Sequence, residues 1–196
     1  MAEVTAAQVK ELRDRTGLGM MTCKEALVAA QGDPEKAIEY LRKKGLDAAG
    51  KRMGRTAKEG SVGAYIHVNG RVGVLLELNC ESDFVARSED FQNLLRDLCM
   101  QVAATAPIAV SPQDVPEAIV AKEKEIYAEQ VADKPKDVVD KIVEGKLKKF
   151  YQEQCLVEQP FVKNPDMTVQ DRISGVIAKL GEKIAVRRFT RYQLGD

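Results

Sequence analysis

Apolar residues alternate on both sides of Asn69-Gly70, and this pattern narrows the fold more than any other. Val62, Ala64 and Ile66 precede the dipeptide; Val72, Val74, Leu76 and Leu78 follow it. Period two around a strong turn signal reads as a β-hairpin. A two-residue Asn-Gly loop would set Ile66 opposite Gly73 and divide the apolar residues between both faces. A three-residue loop, Val68-Asn69-Gly70 with Gly70 left-handed, sets Ile66 opposite Val72 and gathers all seven on one face. That register is the expected one. A closing strand, Ile184-Ala185-Val186-Arg187-Arg188-Phe189, is expected to join the hairpin. With helical patterns before, between and after these strands, the chain reads as α+β with a small antiparallel sheet packed by helices.

The helical segments carry their own punctuation. Thr5 can cap a helix through Arg15 that sets Val9 and Leu12 on one face, and Gly17-Leu18-Gly19 stops it. A second helix is expected from about Met20 to Gln31. Asp33-Pro34 opens a third, with Ala37, Ile38 and Leu41 facing inward and Gly45 at its end. Helices this short are marginal alone, so these three must pack on one another. Asp47–Lys58 reads as a fraying helix and linker. Beyond the hairpin, Phe91, Leu94, Leu95, Leu98 and Val102 lie at helical spacing. Charged helices are expected over roughly Glu117–Cys155, broken near Lys134-Pro135 and Gly145, with Val138, Val139, Ile142 and Val143 as their apolar stripe. A last helix falls near Val169–Leu180. The expected division is a three-helix unit with its linker over 1–54 and an α+β core over 55–196.

Composition removes several function classes. The chain has 196 residues, with 30 Lys+Arg against 30 Asp+Glu and no tryptophan. A neutral balance with few aromatics disfavours nucleic-acid binding, which needs a basic face or stacking platforms. Such a reading would rest on Lys51, Arg52, Arg55, Lys146, Lys148 and Lys149, and salt-sensitive binding would mark it. Cys23, Cys80, Cys99 and Cys155 are scattered and His67 is the single histidine, so zinc-ligand spacing is missing and no metal or cofactor is expected. No apolar run is long enough to span a membrane, and Met1-Ala2-Glu3-Val4 does not open a secretory signal. Nucleotide-binding and nucleophile motifs are missing as well. A cytoplasmic, non-enzymatic protein is the expectation.

Two segments depart from the bland pattern. On a helical wheel Met20, Cys23, Leu27 and Ala30 form a stripe for the three-helix core, and Met21, Lys24 and Val28 form a second stripe beside it. Methionine adapts well to partner surfaces; a wide core face explains the same pattern. The other segment is Asn79-Cys80-Glu81-Ser82-Asp83-Phe84-Val85-Ala86-Arg87, at a strand-to-helix corner. Ser82 or Asp83 can cap the next helix. Phe84 either packs back on Phe91 or stands out as a wedge.

These segments resemble the signatures of the bacterial elongation factor Ts family. Val9-Lys10-Glu11-Leu12-Arg13 through Thr16-Gly17-x-Gly19-Met20-Met21-x-Cys23-Lys24-x-Ala26-Leu27 is similar to its N-terminal motif, and Leu78 to Arg87 to its second. Gln159-Pro160-Phe161-Val162 and Val186-Arg187-Arg188-Phe189 also fit. Ser82 stands where the family usually has threonine, and a hydroxyl is retained. The resemblance implies a short-form guanine-nucleotide exchange factor that binds elongation factor Tu, GDP-bound and nucleotide-free. It further implies that Ser82, Asp83, Phe84 and Val85 disturb the partner's Mg2+ site. Leu12, Met20, Met21 and Lys24 of a ubiquitin-associated-like (UBA-like) three-helix domain would grip that partner. A second protomer completing a homodimer is expected of a short form. The rival is a generic helical protein-binding module without exchange activity.

Overall fold

The computed structural model describes residues 4–52, 54–132 and 134–195. Helix α1 (Ala6–Thr16) starts from a reciprocal cap: the Gln8 N–H donates to Thr5 Oγ1 at 3.3 Å, and the Thr5 N–H donates to Gln8 Oε1 at 2.9 Å. Gly17, at φ 68°, takes the left-handed turn that ends it. Helix α2 (Met20–Ala29) and helix α3 (Pro34–Arg52) close on α1 around Val9, Leu12, Cys23, Ala26, Leu27, Ala37 and Leu41. Asp33 Oδ1 accepts the Glu35 and Lys36 N–H groups at 3.0 and 3.1 Å, so α3 starts where the sequence places it.

Helix α3 does not stop at Gly45. It runs to Arg52 because Gly45 is buried against helix α8 (Val169–Leu180). A Cβ on Gly45 would lie 3.7 Å from both the Ser174 carbonyl and the Ala178 methyl. Glycine here brings two helices together instead of ending one, and packing outweighs its helix penalty of about 1 kcal/mol.

Strands β1 (Glu59–Ile66), β2 (Val72–Cys80) and β5 (Ile184–Gln193) form one sheet in the order β1-β2-β5. The closing strand therefore lies beside β2, and the fold is α+β. The hairpin register differs from the expected one. The His67 N–H donates to the Val72 carbonyl at 2.9 Å, which closes a four-residue loop and sets Ile66 opposite Gly73. Gly70 is left-handed as expected, at φ 68°. The cause lies with helix α5 (Glu89–Thr105), which packs onto β1 so closely that a Cβ at Gly63 would sit 2.7 Å from Leu95 Cγ. Gly63 thus takes the inward position with Val74, Leu76 and Leu78 of β2, while Val62 and Ile66 face outward and are exposed.

Helix α5 buries Phe91, Leu94, Leu95, Leu98 and Val102, as its periodicity predicts. Helices α6 (Glu117–Glu129) and α7 (Lys136–Gln154) pack on each other, and Gly145 lies inside α7 without breaking it. A short antiparallel pair, β3 (Pro160–Phe161) with β4 (Asn164–Thr168), was not foreseen. It is held by the buried Gln101, whose amide donates to the Pro160 carbonyl at 3.1 Å and accepts the Val162 N–H at 2.8 Å.

The chain groups into two compact units. One comprises Met1–Ser61, Leu78–Leu94 and Asp171–Ala185; the other comprises Val62–Glu77, Leu95–Gln170 and Val186–Asp196. The first carries the three-helix cluster, the end of β2, the start of α5 and most of α8. The second carries the hairpin tip, the α6–α7 pair and the β3–β4 pair. Among the described residues no helix is long and apolar enough to cross a membrane.

Candidate functional site

At the end of β2 the chain turns through Glu81 and Ser82 into helix α4, a single turn over Asp83–Ala86. Ser82 is extended (φ −130°, ψ 154°), and its Oγ accepts the Val85 N–H at 3.3 Å. The same hydroxyl donates to Glu182 Oε1 at 2.6 Å. Glu182 Oε2 accepts two successive main-chain donors, the Ser82 N–H at 3.0 Å and the Glu81 N–H at 3.2 Å. One carboxylate from the α8–β5 connection thus takes three hydrogen bonds from the corner. Glu81 in turn accepts the Lys183 N–H at 2.6 Å and pairs with Arg55 at 3.3 Å. The Lys183 N–H first, and Arg55 after it, hold the Glu81 carboxyl below its ordinary 4.5. Beneath the corner Cys80 donates to the Ser82 carbonyl at 3.1 Å; burial, with the Glu182 charge adding, pushes its thiol up to about 11.

This frame presents one large apolar side chain. Phe84 is 81% exposed, whereas Val85 is 6% exposed and Ala86 is buried. Phe84 does not pack on Phe91, which is fully buried in the core. Asp83 faces solvent and pairs with Arg87 at 2.7 Å, both side chains being well exposed. Such a surface pair is worth at most about 1 kcal/mol and leaves Asp83 free to exchange partners. Of the four corner residues singled out in the sequence, Asp83 and Phe84 are presented, Ser82 is the cap, and Val85 points inward as the anchor of the turn.

The N-terminal residues separate in the same way. Met21 is 69% exposed, and Lys24 and Val28 are exposed beside it. This second stripe of α2 therefore lies outside the core. Met20 was expected inside with Cys23, Leu27 and Ala30; those three are buried, but Met20 opens α2 at the end of the packed face and stands half exposed. Leu12 lies at the centre of the three-helix cluster, 1% exposed, and supports the surface from within.

The three-helix cluster is tied to α8 by polar contacts. Arg42 is ion-paired with the buried Asp171, and Arg52 Nε donates to the Gly181 carbonyl at 3.1 Å. Lys179 pairs with Asp90 at 2.7 Å and lies against Gly17. The segment that carries Glu182 thus follows directly from the helix on which the cluster rests.

His67 is exposed near the hairpin loop, its Nδ1 3.0 Å from Tyr65 Oη, and the four cysteines are buried as free thiols. Among the described residues no group of three or more His, Cys, Asp or Glu could hold a metal ion. Exposed apolar side chains on rigid frames are what the molecule offers. Sequence reasoning missed Glu182, which lies 100 residues from the hydroxyl it holds and has no local pattern to announce it.

The family model described as Elongation factor TS matches residues 48–196. Elongation factor Ts of Moorella thermoacetica is 62% identical over 195 residues, covering 98% of this chain and 96% of its own. That of Syntrophus aciditrophicus is 55% identical over 195 residues, covering 98% and 97%. That of Desulfosudis oleivorans is 52% identical over 198 residues, covering 100% of both chains.

Proposed function

The chain belongs to the elongation factor Ts family, and on that premise we propose that it is a guanine-nucleotide exchange factor for elongation factor Tu. It binds the GDP-loaded partner, dislodges Mg2+ with the Asp83-Phe84 corner, and promotes GDP release during translation elongation in the cytoplasm. It makes and breaks no covalent bond. The observation that carries the reading is the contrast between Phe84 and its surroundings: a large apolar side chain left in solvent on a turn fixed by a buried neighbour and a three-fold carboxylate clamp. A flexible loop would lose much of its binding energy to ordering; this corner is already ordered.

Magnitudes favour two contact surfaces. Burying one Phe yields roughly 1.5–3 kcal/mol, or about ten- to 150-fold in nucleotide affinity if all of it acted differentially. GDP held at nanomolar affinity corresponds to about 12 kcal/mol. Residues 1–54 therefore act as a UBA-like gripping domain through Met20, Met21 and Lys24, with Leu12 supporting the grip from inside. Residues 55–196 act as the core that carries the wedge. By linkage, GDP weakens this protein's hold on the partner by the factor by which this protein weakens GDP.

We propose further that two protomers associate. Val62, Ile66 and Leu75 are exposed on the outer face of the hairpin, where an apolar patch favours a self-complementary contact. Sedimentation of the wild type as a dimer and of Ile66→Asp as a folded monomer is the expected result; a wild-type monomer, alone and with the partner, removes the dimer. The exchange reading is tested by release of labelled GDP from elongation factor Tu. Phe84→Ala should slow the stimulated release while the chain stays folded.

A further inference from the structure

We infer that Glu182 is a positioning residue of the exchange corner, setting which way Phe84 points; the inference rests on the exchange reading above. Helix α4 has four residues, far below the roughly 12–15 at which an isolated helix becomes marginally stable in water. Its direction must therefore be imposed from outside. Successive side chains on a helix differ by roughly 100°, so a slip of one residue would carry Phe84 into the buried position that Val85 now holds. The geometry that prevents this slip is concentrated at one carboxylate. Glu182 fixes the Glu81 and Ser82 N–H groups and the Ser82 hydroxyl, and that hydroxyl's remaining acceptor capacity caps the Val85 N–H. Hydrogen bonds to an ionised acceptor are the stronger kind. Glu81 is anchored separately, through the Lys183 N–H and Arg55.

The test combines two measurements on the full chain. The first is amide hydrogen exchange of the free protein, wild type against Glu182→Ala. The amides of Glu81, Ser82 and Val85 should exchange at least about tenfold faster in the variant, with α1–α3 and the core of α5 unchanged. The second is the rate of labelled GDP release from elongation factor Tu as exchange factor is titrated. Glu182→Ala should lower the saturating rate about tenfold and move the half-saturating concentration by less than about twofold, since α2 is untouched. Glu182→Gln keeps the reach but turns one of the two accepting oxygens into an N–H donor, and should give a rate between those of Glu182→Ala and wild type. In a Phe84→Ala background, Glu182→Ala should cause no further loss.

Slow release with Phe84→Ala but wild-type release with Glu182→Ala would overturn the inference and leave the exchange reading standing. Wild-type release with Phe84→Ala would overturn both. Equal losses from Glu182→Ala in the two backgrounds would mark a general structural role and overturn the inference as well. Should Glu182→Ala fail to fold, Glu182→Asp, one methylene too short to reach both partners, replaces it under the same criteria.

Discussion

Phe84 and Val85 are neighbours on one helical turn and lie on opposite sides of the protein surface, the first 81% exposed and the second 6%. Their substitutions should therefore separate function from stability. Phe84→Ala should change unfolding free energy by no more than about 0.5 kcal/mol. Val85→Ala removes buried methyl groups and should cost roughly 1–3 kcal/mol. Urea unfolding of the two variants checks this, and a larger loss at Phe84 would mean that its ring is packed in solution.

The two faces of the N-terminal helices should part in the same way. Met21→Ala and Lys24→Ala are expected to keep the fold and weaken complex formation with elongation factor Tu by several-fold each, read by calorimetry. Leu12→Ala empties the centre of the cluster and should cost about 2–5 kcal/mol of stability. Unchanged affinity for both surface variants would contradict a grip through α2.

Two glycines predict opposite signs. A Cβ at Gly63 would lie 2.7 Å from Leu95 Cγ and 3.1 Å from Cys99 Sγ, so Gly63→Ala should destabilise by about 1–3 kcal/mol through overpacking. Gly145 sits inside α7 with nothing within 4 Å of its Cβ position. Gly145→Ala should stabilise by about 0.5–1 kcal/mol. Thermal unfolding of the pair decides both.

Alkaline pH should loosen the fold through its buried thiols. Burial raises Cys80, Cys99 and Cys155 from 9.0 to about 11. A raised folded value means that their contribution is complete below 9.0 and is lost as pH climbs through about 11. Glu81 has the opposite sign: its value is lowered, so its contribution is present above the ordinary 4.5 and is lost in acid as the pH falls through its folded value. Ultraviolet titration of thiolate in the native chain should place three thiols nearer 11 than 9, and full ionisation near 9 in the folded state would contradict the burial described.

Much of this architecture was legible from local signals. Thr5 with Gln8, Asp33 before Pro34, and the spacing of Phe91, Leu94, Leu95, Leu98 and Val102 each act within a few residues, and these two helix starts and this buried face formed as read. What was not legible depends on contacts distant in sequence. Gly45 and Gly145 looked like helix ends because glycine is a weak helix former; packing on α8 in one case, and a place in the middle of a long helix in the other, carried the helix through. The register differs at Gly63 because the alternation of apolar residues carries no trace of the helix lying over the strand. Gln101 organising β3–β4 and Glu182 organising the corner are single polar residues whose partners lie dozens to a hundred positions away. At the candidate site, the exposed members were visible as residues without an obvious internal use. The inward turn of Val85 and the burial of Leu12 required the fold.

The most direct test of the central claim is stopped-flow release of labelled GDP from elongation factor Tu, with the folded chain in excess. The account predicts release much faster than from the partner alone, rising to saturation with added wild-type protein and blunted by Phe84→Ala at an unchanged fold. Traces that are superimposable with and without the wild-type chain would contradict it.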